Sequence, residues 1–199
     1  MLTVSRDRSD QRILGARDVS RARMTARRRP LRHRMAVVAV DPVEALQFTG
    51  GWVFDHSLAG WDVSVHVLEE GDPRPCEILG ARVFQLQCSL ERAEADPWPN
   101  ALAISGTLLH SHERIRQGAS AAMDAGRIDI RLWGNTIPTD LQAGTSPDAH
   151  QLSIAAQAFK RRAFDAASLN GNQVSDAEHF RLSHAVSLAP VPELIALGG

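Results

Sequence analysis

The alternation of apolar and polar positions along the chain predicts a set of strands. Residues 35–40 form a continuous apolar run, which is typical of a strand covered on both faces. Residues 62–69 and 128–133 instead alternate apolar and polar side chains with a period of two, as a strand with one polar face does. We predict strands at these three places and a further strand at 77–87.

Helical patterns lie between these strands. Asp41-Pro42-Val43-Glu44 combines a capping side chain, a proline suited to the first helical turn and a carboxylate three positions after the cap. A helix is therefore predicted from this motif to Gly60, where glycine favours its end. Three more helices are predicted, at 100–125, 146–170 and 176–188. Residues 134–145 are predicted to form a loop.

Strands that alternate with helices indicate an α/β fold. We predict a small Rossmann-like open sheet of about four strands flanked by helices. Segment 35–69 resembles the opening βαβ unit of a Rossmann-type fold in shape, but the glycine fingerprint for a pyrophosphate is missing, and Asp41-Pro42-Val43-Glu44 stands in its place. No cofactor is predicted. The alternative is a two-layer α+β fold in which 62–69 and 77–87 form a hairpin.

Charge is distributed unevenly and divides the chain. Residues 1–34 contain eleven arginines and three aspartates, a net charge of +8, whereas the rest of the chain carries −9 and the total is only −1. We predict a disordered Arg-rich arm at 1–34, a single α/β domain at 35–188 and a loosely docked tail at 189–199. Translation can start at Met1, Met24 or Met35, so the arm need not belong to the working protein.

The arm contains one dense basic cluster. Its arginines can neutralise phosphates, which predicts contact between residues 21–34 and a nucleic acid or another polyanion. Two alternatives are an arm that binds nothing and an arm that folds back on the acidic domain. The cluster comprises Arg27, Arg28, Arg29, Arg32 and Arg34.

The first predicted helix contains the glycine pair Gly50-Gly51. Two glycines inside a helix cost about 1 kcal/mol each relative to alanine, so a compensating gain is expected. One interpretation is a close contact with the sheet that a side chain would block. The other is an anion bound by the glycine amides. The second interpretation predicts a ligand site formed by Thr49, Gly50, Gly51 and Asp55.

Other polar groups are poorly spaced for joint chemistry. Asp62 and His66 are separated by roughly 13 Å along a strand, and His110 and His112 face opposite sides of a helix. Two cysteines, at 76 and 88, are too few for a metal knuckle. We predict no catalytic constellation and no metal site, and whether the chain is an enzyme stays open.

The remaining features suggest location and partners. Lys160-Arg161-Arg162 is interpreted as a solvated helix face. No apolar run approaches the roughly 18 residues that a membrane span needs, and the sparse cysteines suit a cytoplasmic protein. The tryptophans, including Trp52 and Trp133, are large enough to anchor an interface with a protein partner or a second copy of the chain.

Three functions follow from these patterns. The first is a non-catalytic α/β domain that binds a partner or ligand and regulates it. The second is an atypical α/β enzyme or nucleotide-binding module, with a site near Thr49–Asp55 and the 134–145 loop, where open sheets bind ligands. The third is nucleic-acid contact through the arm.

Overall fold

A seven-stranded open sheet with helices on both faces forms the described part of the chain. The computed structural model describes residues 33–86, 99–171 and 174–183. The strands are β1 Arg34–Ala39, β2 Asp62–Val67, β3 Arg82–Gln85, β4 Ala101–Ser105, β5 Asp129–Trp133, β6 Ser146–Gln151 and β7 Ala177–Ser183. The helices are α1 Pro42–Leu58, α2 Arg74–Ile78, α3 Gly106–Ser111, α4 Glu113–Ala125, α5 Thr139–Ala143 and α6 Ile154–Ala166. The predicted α/β class is confirmed, with seven strands instead of about four.

The strand order is β3-β2-β1-β4-β5-β7-β6. The first five strands are parallel in the order of a doubly wound sheet, and β7 runs antiparallel to both β5 and β6. Val65 pairs with Val83 in a parallel ladder, and a parallel pair needs a crossover, which α2 supplies here. The alternative of a hairpin between 62–69 and 77–87 is therefore wrong.

Strand β1 lies inside the sheet, between β2 and β4, and both of its faces are apolar. Met35 and Val37 are fully buried in the core beneath α1 and α6. Ala36 and Val38 pack on the other face, in a second core that α4 helps to cover. The continuous apolar run in the sequence thus corresponds to a strand buried on two sides.

Helix α1 begins where the capping motif predicts. Asp41 Oδ1 accepts a hydrogen bond from Glu44 N at 2.8 Å, and Glu44 Oε2 accepts one from Val40 N at 2.6 Å. The helix ends just before Gly60, whose φ of 87° suits glycine. Helix α1 begins directly after the end of β1 and leads into the parallel strand β2. The amino-terminal half of α1 therefore lies at the carboxyl edge of the sheet.

The helix predicted over 100–125 begins as a strand instead. Residues 101–105 form β4, which pairs with both β1 and β5, and only then do α3 and α4 follow. A short apolar run fits a buried strand and a buried helix equally well, so periodicity could not separate them. Long-range pairing with two neighbours decides the structure.

Two further predicted helices contain strands for a similar reason. Residues 146–151 form the edge strand β6, and the helix starts only after Ser153, whose Oγ accepts a hydrogen bond from Ala156 N at 3.0 Å. The apparent capping box at 175–178 does not start a helix, because this segment leads into β7. In the predicted loop, residues 139–143 form the short helix α5.

Some predictions fall outside the described residues. These include the basic cluster up to Arg32, the tail at 189–199 and most of the proposed arm, so the domain boundaries stay predictions. Arg34 is described and is the first residue of β1, where its backbone N–H donates to Asn100 Oδ1 at 2.9 Å. Within the described ranges, every helix is too short or too polar to cross a membrane.

Candidate functional site

A cavity of about 410 Å³ opens where β5 and β7 separate. The ladder between these strands reaches Leu132↔Arg181, and beyond it Trp133 and Gly134 on one side and Glu178 on the other line the cavity. Gln47 of α1 closes it from the adjacent helix. Because β5 is parallel to β1, this is the carboxyl edge of the sheet, where open α/β sheets bind ligands. The volume suits a small molecule.

A buried ion pair lies in the wall of this cavity. Lys160 of α6 is the one lysine in the sequence, and its Nζ lies 2.5 Å from Glu178 Oε1 and 2.7 Å from Gln47 O. The two residues are only 3% and 5% exposed. An ammonium has three N–H donors, and two of them have acceptors within the described ranges. Lys160 lines the cavity, and its Nζ also lies 5.7 Å from the centre of the Phe164 ring.

Glu178 is held by the backbone of α1 as well as by Lys160. Gly51 N donates to Glu178 Oε1 at 2.7 Å, and Trp52 N donates to Glu178 Oε2 at 2.8 Å. In a regular helix the N–H of Gly51 donates to the carbonyl of Gln47. Here Gly51 N donates to Glu178, and Gln47 O accepts a hydrogen bond from Lys160. The carboxylate and the ammonium are therefore fixed in place before any ligand arrives.

Gly51 packs closely against a segment outside the sheet and also contacts a carboxylate of the protein itself. A Cβ on Gly51 would lie 2.3 Å from Leu152 Cγ, so a side chain there would block the contact between α1 and the segment leading into α6. The Gly51 amide also binds an anion, which is the carboxylate of Glu178. That Thr49, Gly50 and Gly51 bind a ligand from solution stays a prediction. Thr49 is fully buried and donates to Ala45 O at 2.7 Å.

Trp133 also lines the cavity, and its indole donor is buried. The residue is 1% exposed, and its indole Nε1–H has no hydrogen-bond acceptor among the residues that the structure describes. A buried donor without a partner costs about 1–3 kcal/mol. The indole N–H itself has almost no accessible surface, so it is a local cost to stability and is not presented to the cavity.

Asp55, the fourth predicted ligand residue, lies in a different cluster near the other end of α1. Its carboxylate accepts hydrogen bonds from Ser153 Oγ at 2.5 Å and from His150 Nε2 at 2.8 Å. Partial burial raises the pKa of Asp55, but the hydrogen bonds from Ser153 and His150 outweigh it and leave the pKa below its usual value of 3.8. Asp55 ties the start of α6 and strand β6 to α1. Its predicted ligand role stays a prediction.

His56 follows Asp55 and faces the same cluster. Its Nδ1 lies 2.9 Å from Trp52 O, and its ring is 6.2 Å from that of His150 between centroids. Burial lowers the pKa of His56, since the charged imidazolium loses water, and the positive charges of His150 and Arg131 act in the same direction. The ring is therefore neutral near pH 7.

The polar residues whose spacing is poor for catalysis make other contacts in the structure. Asp62 pairs with the exposed Arg82 at 2.6 Å, and His66 Nε2 lies 2.9 Å from Ser64 Oγ. Ser105 is fully buried and donates to Glu44 Oε1 at 2.5 Å. Across residues 33–86, 99–171 and 174–183, no group of three or more His, Cys, Asp or Glu side chains could hold a metal ion.

Comparison with solved structures identifies similar folds. The deacetylase Dbv21, which acts on the A40926 pseudoaglycone, matches with a TM-score of 0.52 and 13% identity over 78% of this chain and 99% of its own. A deacetylase from teicoplanin biosynthesis, in complex with teicoplanin, matches with a TM-score of 0.52 and 11% identity over 75% and 97% of the two chains. No protein-family model matches the sequence, and no curated protein does.

These matches correct the first functional prediction. Both similar structures are enzymes, so the interpretation of the chain as a non-catalytic binding or regulatory domain is wrong, and the enzyme alternative is favoured. At 11–13% identity the likeness shows the fold alone. The chemistry has to be argued from the cavity.

The sequence patterns missed the residues that form this cavity. The interpretation of Lys160-Arg161-Arg162 as a solvated face fits the two exposed arginines and is wrong for Lys160, which is buried. Glu178 lies in β7 and not in the helix predicted at 176–188. One signal was available in the sequence: a single lysine among many arginines is an unusual choice, and a buried amine is one reason for it.

Proposed function

We propose that this protein is an enzyme of the open α/β class that acts on the carbonyl group of a small molecule bound in the β5–β7 cavity. The observation that carries the proposal is the Lys160 ammonium, held by Glu178 and Gln47 O in the wall of a cavity at the carboxyl edge of the sheet. A carbonyl oxygen is an acceptor to which an ammonium can donate.

The geometry gives Lys160 a definite role in such a reaction. When a nucleophile adds to a carbonyl group, negative charge develops on the oxygen, and a fixed cation in a water-poor site stabilises that charge. Glu178 and the carbonyl of Gln47 hold the ammonium in position, so little reorganisation is needed. Lys160 therefore stabilises the developing oxyanion, and Glu178 is a positioning residue.

The fold comparisons support an acyl substrate. Two enzymes with a similar fold are deacetylases, which remove an acetyl group and so act on a carbonyl carbon. Their likeness to this chain extends to the fold only, and we propose the acyl class because the Lys160 ammonium in the cavity wall suits it. The free, buried thiol of Cys76 is consistent with the predicted cytoplasmic location, which is part of this proposal.

Because the chain has one lysine, ¹⁵N-lysine labelling gives a single ε-ammonium signal for NMR. We expect acetamide and acetate to shift this signal in a saturable way. Arg161→Met is the matched control, since it removes one exposed positive charge from the same helix and should leave the titration unchanged. An ε-ammonium signal that neither probe moves would overturn the proposal.

A hydrolysis assay tests the catalytic part separately. We expect the wild type to release 4-nitrophenol from 4-nitrophenyl acetate faster than buffer does, and Lys160→Met to lower that rate by about 10²–10³-fold, as loss of one oxyanion donor does. Circular dichroism checks that the variant is folded. A folded Lys160→Met protein with the wild-type rate contradicts the role assigned to Lys160.

A further inference from the structure

The charged side chains in the wall of the β5–β7 cavity do not balance. Lys160, Glu178 and Arg181 line the cavity, and Lys160 and Glu178 neutralise each other in the buried ion pair. No carboxylate of the described residues pairs with Arg181. His179 also lines the cavity, and an imidazole is either neutral or positive. The wall therefore carries an uncompensated positive charge on the Arg181 guanidinium.

Neutral oxygens hold this guanidinium in place. Its Nε donates to Thr145 Oγ1 at 2.9 Å, and its Nη2 donates to Thr145 O at 2.9 Å and to Gln142 O at 3.1 Å. These three hydrogen bonds fix the plane of the group and leave its charge uncompensated. Position and charge are thus both set before any ligand arrives.

The remaining nitrogen of the guanidinium is accessible. Nη1 of Arg181 donates to no atom of the residues that the structure describes, and it is not among their buried polar atoms that lack a partner. Since the residue as a whole is half-buried, Nη1 must keep accessible surface. Arg181 therefore combines a fixed guanidinium and an accessible donor with a place in the cavity wall.

Arg181 and Lys160 belong to opposite sides of the sheet. Side chains alternate along a strand, so Arg181 leaves β7 on the face opposite to Glu178, which holds Lys160. Both cations nevertheless line the cavity, because it opens beyond the point where the ladder between β5 and β7 ends. A ligand that contacts both must therefore carry two acceptor groups joined by a spacer.

The charge of the wall selects the second of these groups. Arginine binds carboxylates through short, charge-assisted hydrogen bonds, and one uncompensated positive charge matches a monoanion. A phosphate ester, with a charge of about −1.5 to −2, would leave negative charge in excess. We propose that the substrate carries a carboxylate bound by Arg181 while its acyl carbonyl lies at Lys160, an inference that rests on the proposed function. The substrate class is then a short acyl compound with a free carboxylate, such as an acylamino acid.

Two probes that differ only in charge test the inference on the full chain. These are 4-acetamidobutanoate and its uncharged amide, 4-acetamidobutanamide. We expect calorimetry to show about tenfold tighter binding of the carboxylate, since only the carboxylate forms a charge-assisted pair with Arg181. Arg181→Gln should bring the two affinities within about twofold of each other. Arg162→Gln, which removes an exposed charge on α6, is the matched control and should keep the wild-type preference.

Salt dependence in the wild type does not require any variant to fold. Raising NaCl from about 20 to about 500 mM should weaken binding of the carboxylate at least about threefold and leave that of the amide unchanged. Equal affinities for the two probes, or a preference that survives in folded Arg181→Gln, would overturn the inference. The ε-ammonium signal of Lys160 separates this from the proposed function: equal binding that shifts the signal leaves that function in place, whereas an Arg181-dependent preference that leaves the signal unmoved supports the carboxylate site and contradicts that function.

Discussion

Lys160 and Glu178 form an ion pair inside the protein, with Nζ and Oε1 2.5 Å apart and side chains only 4% and 3% exposed. The pair connects α6 to β7, and through Gln47 O and Gly51 N it also contacts the middle of α1. Removing one partner of a buried ion pair leaves the other charge buried without a counter-charge, and this destabilises the folded protein. The pair is therefore central to stability as well as to the proposed chemistry.

Lys160→Met should destabilise the protein by about 3–5 kcal/mol, because it leaves the Glu178 carboxylate buried with backbone donors alone. Unfolding in urea measures the free energy. Arg161→Met is the control, and we expect a change within about 0.5 kcal/mol for this exposed residue. The double variant Lys160→Met/Glu178→Gln should recover part of the loss, and equal losses in Lys160→Met and Arg161→Met would contradict the expectation.

Gly51→Ala should destabilise the fold by at least about 1–3 kcal/mol, because the new methyl group would overlap Leu152, whose Cγ is 2.3 Å from the ideal Cβ position. Gly118→Ala is the matched control in α4, where a Cβ meets nothing within 4 Å. There we expect stabilisation of about 0.5–1 kcal/mol from helix propensity. Thermal or urea unfolding compares the two, and a shift of the same sign in both would count against the packing argument.

The contribution of Asp55 should depend on pH. Its pKa is lowered in the folded protein, since hydrogen bonds from Ser153 and His150 outweigh burial, so its stabilising effect is present above its usual pKa of 3.8 and is lost as the pH falls through the lowered value. Asp55→Asn should therefore be less stable than the wild type at pH 6, and the difference should shrink towards pH 2. Unfolding free energies measured across this range check the sign.

Asp124→Asn, an exposed substitution on α4, is the control for the Asp55 experiment. Its effect should stay within about 0.5 kcal/mol at pH 6. If Asp55→Asn is as stable as Asp124→Asn at pH 6, the hydrogen bonds to Ser153 and His150 do not stabilise the fold.

Cys76 should be unreactive in the folded protein. Burial raises the pKa of its thiol to about 12, with Asp41 and Glu77 adding negative charge nearby, so little thiolate exists at pH 8. In a Cys88→Ser background we expect a thiol reagent to label the protein only after urea is added. Labelling at the same rate with and without urea would show that the thiol is accessible.

The sequence predicted the opening unit of the sheet well and its later strands poorly. For β1 and α1, a long apolar run and the motif at Asp41–Glu44 act locally, and the structure follows them. The residues of β4, β6 and β7 fit a helical pattern just as well. They form strands because they pair with strands that are distant in the sequence. Local patterns cannot contain that information.

The same limit explains why the candidate site was only partly predicted. The sequence pointed to the glycine pair and to the loop after β5, and Gly134 and Asn135 do line the cavity. It could not show that Lys160 and Glu178 meet, because the lysine lies on α6 and the carboxylate on β7, whose residues fit a helical pattern. A buried charge is recognised only once its partner is known.

Strand β7 has a consequence for the order in which the chain can fold. It is the last described strand in the sequence, yet it lies between β5 and β6. Until the ribosome has delivered residues 177–183, β5 therefore presents an open edge and β6 has no neighbour to pair with, a state that invites aggregation. The carboxylate that neutralises the only lysine arrives with the same strand, so closure of the sheet and neutralisation of its buried charge should occur in one late cooperative event.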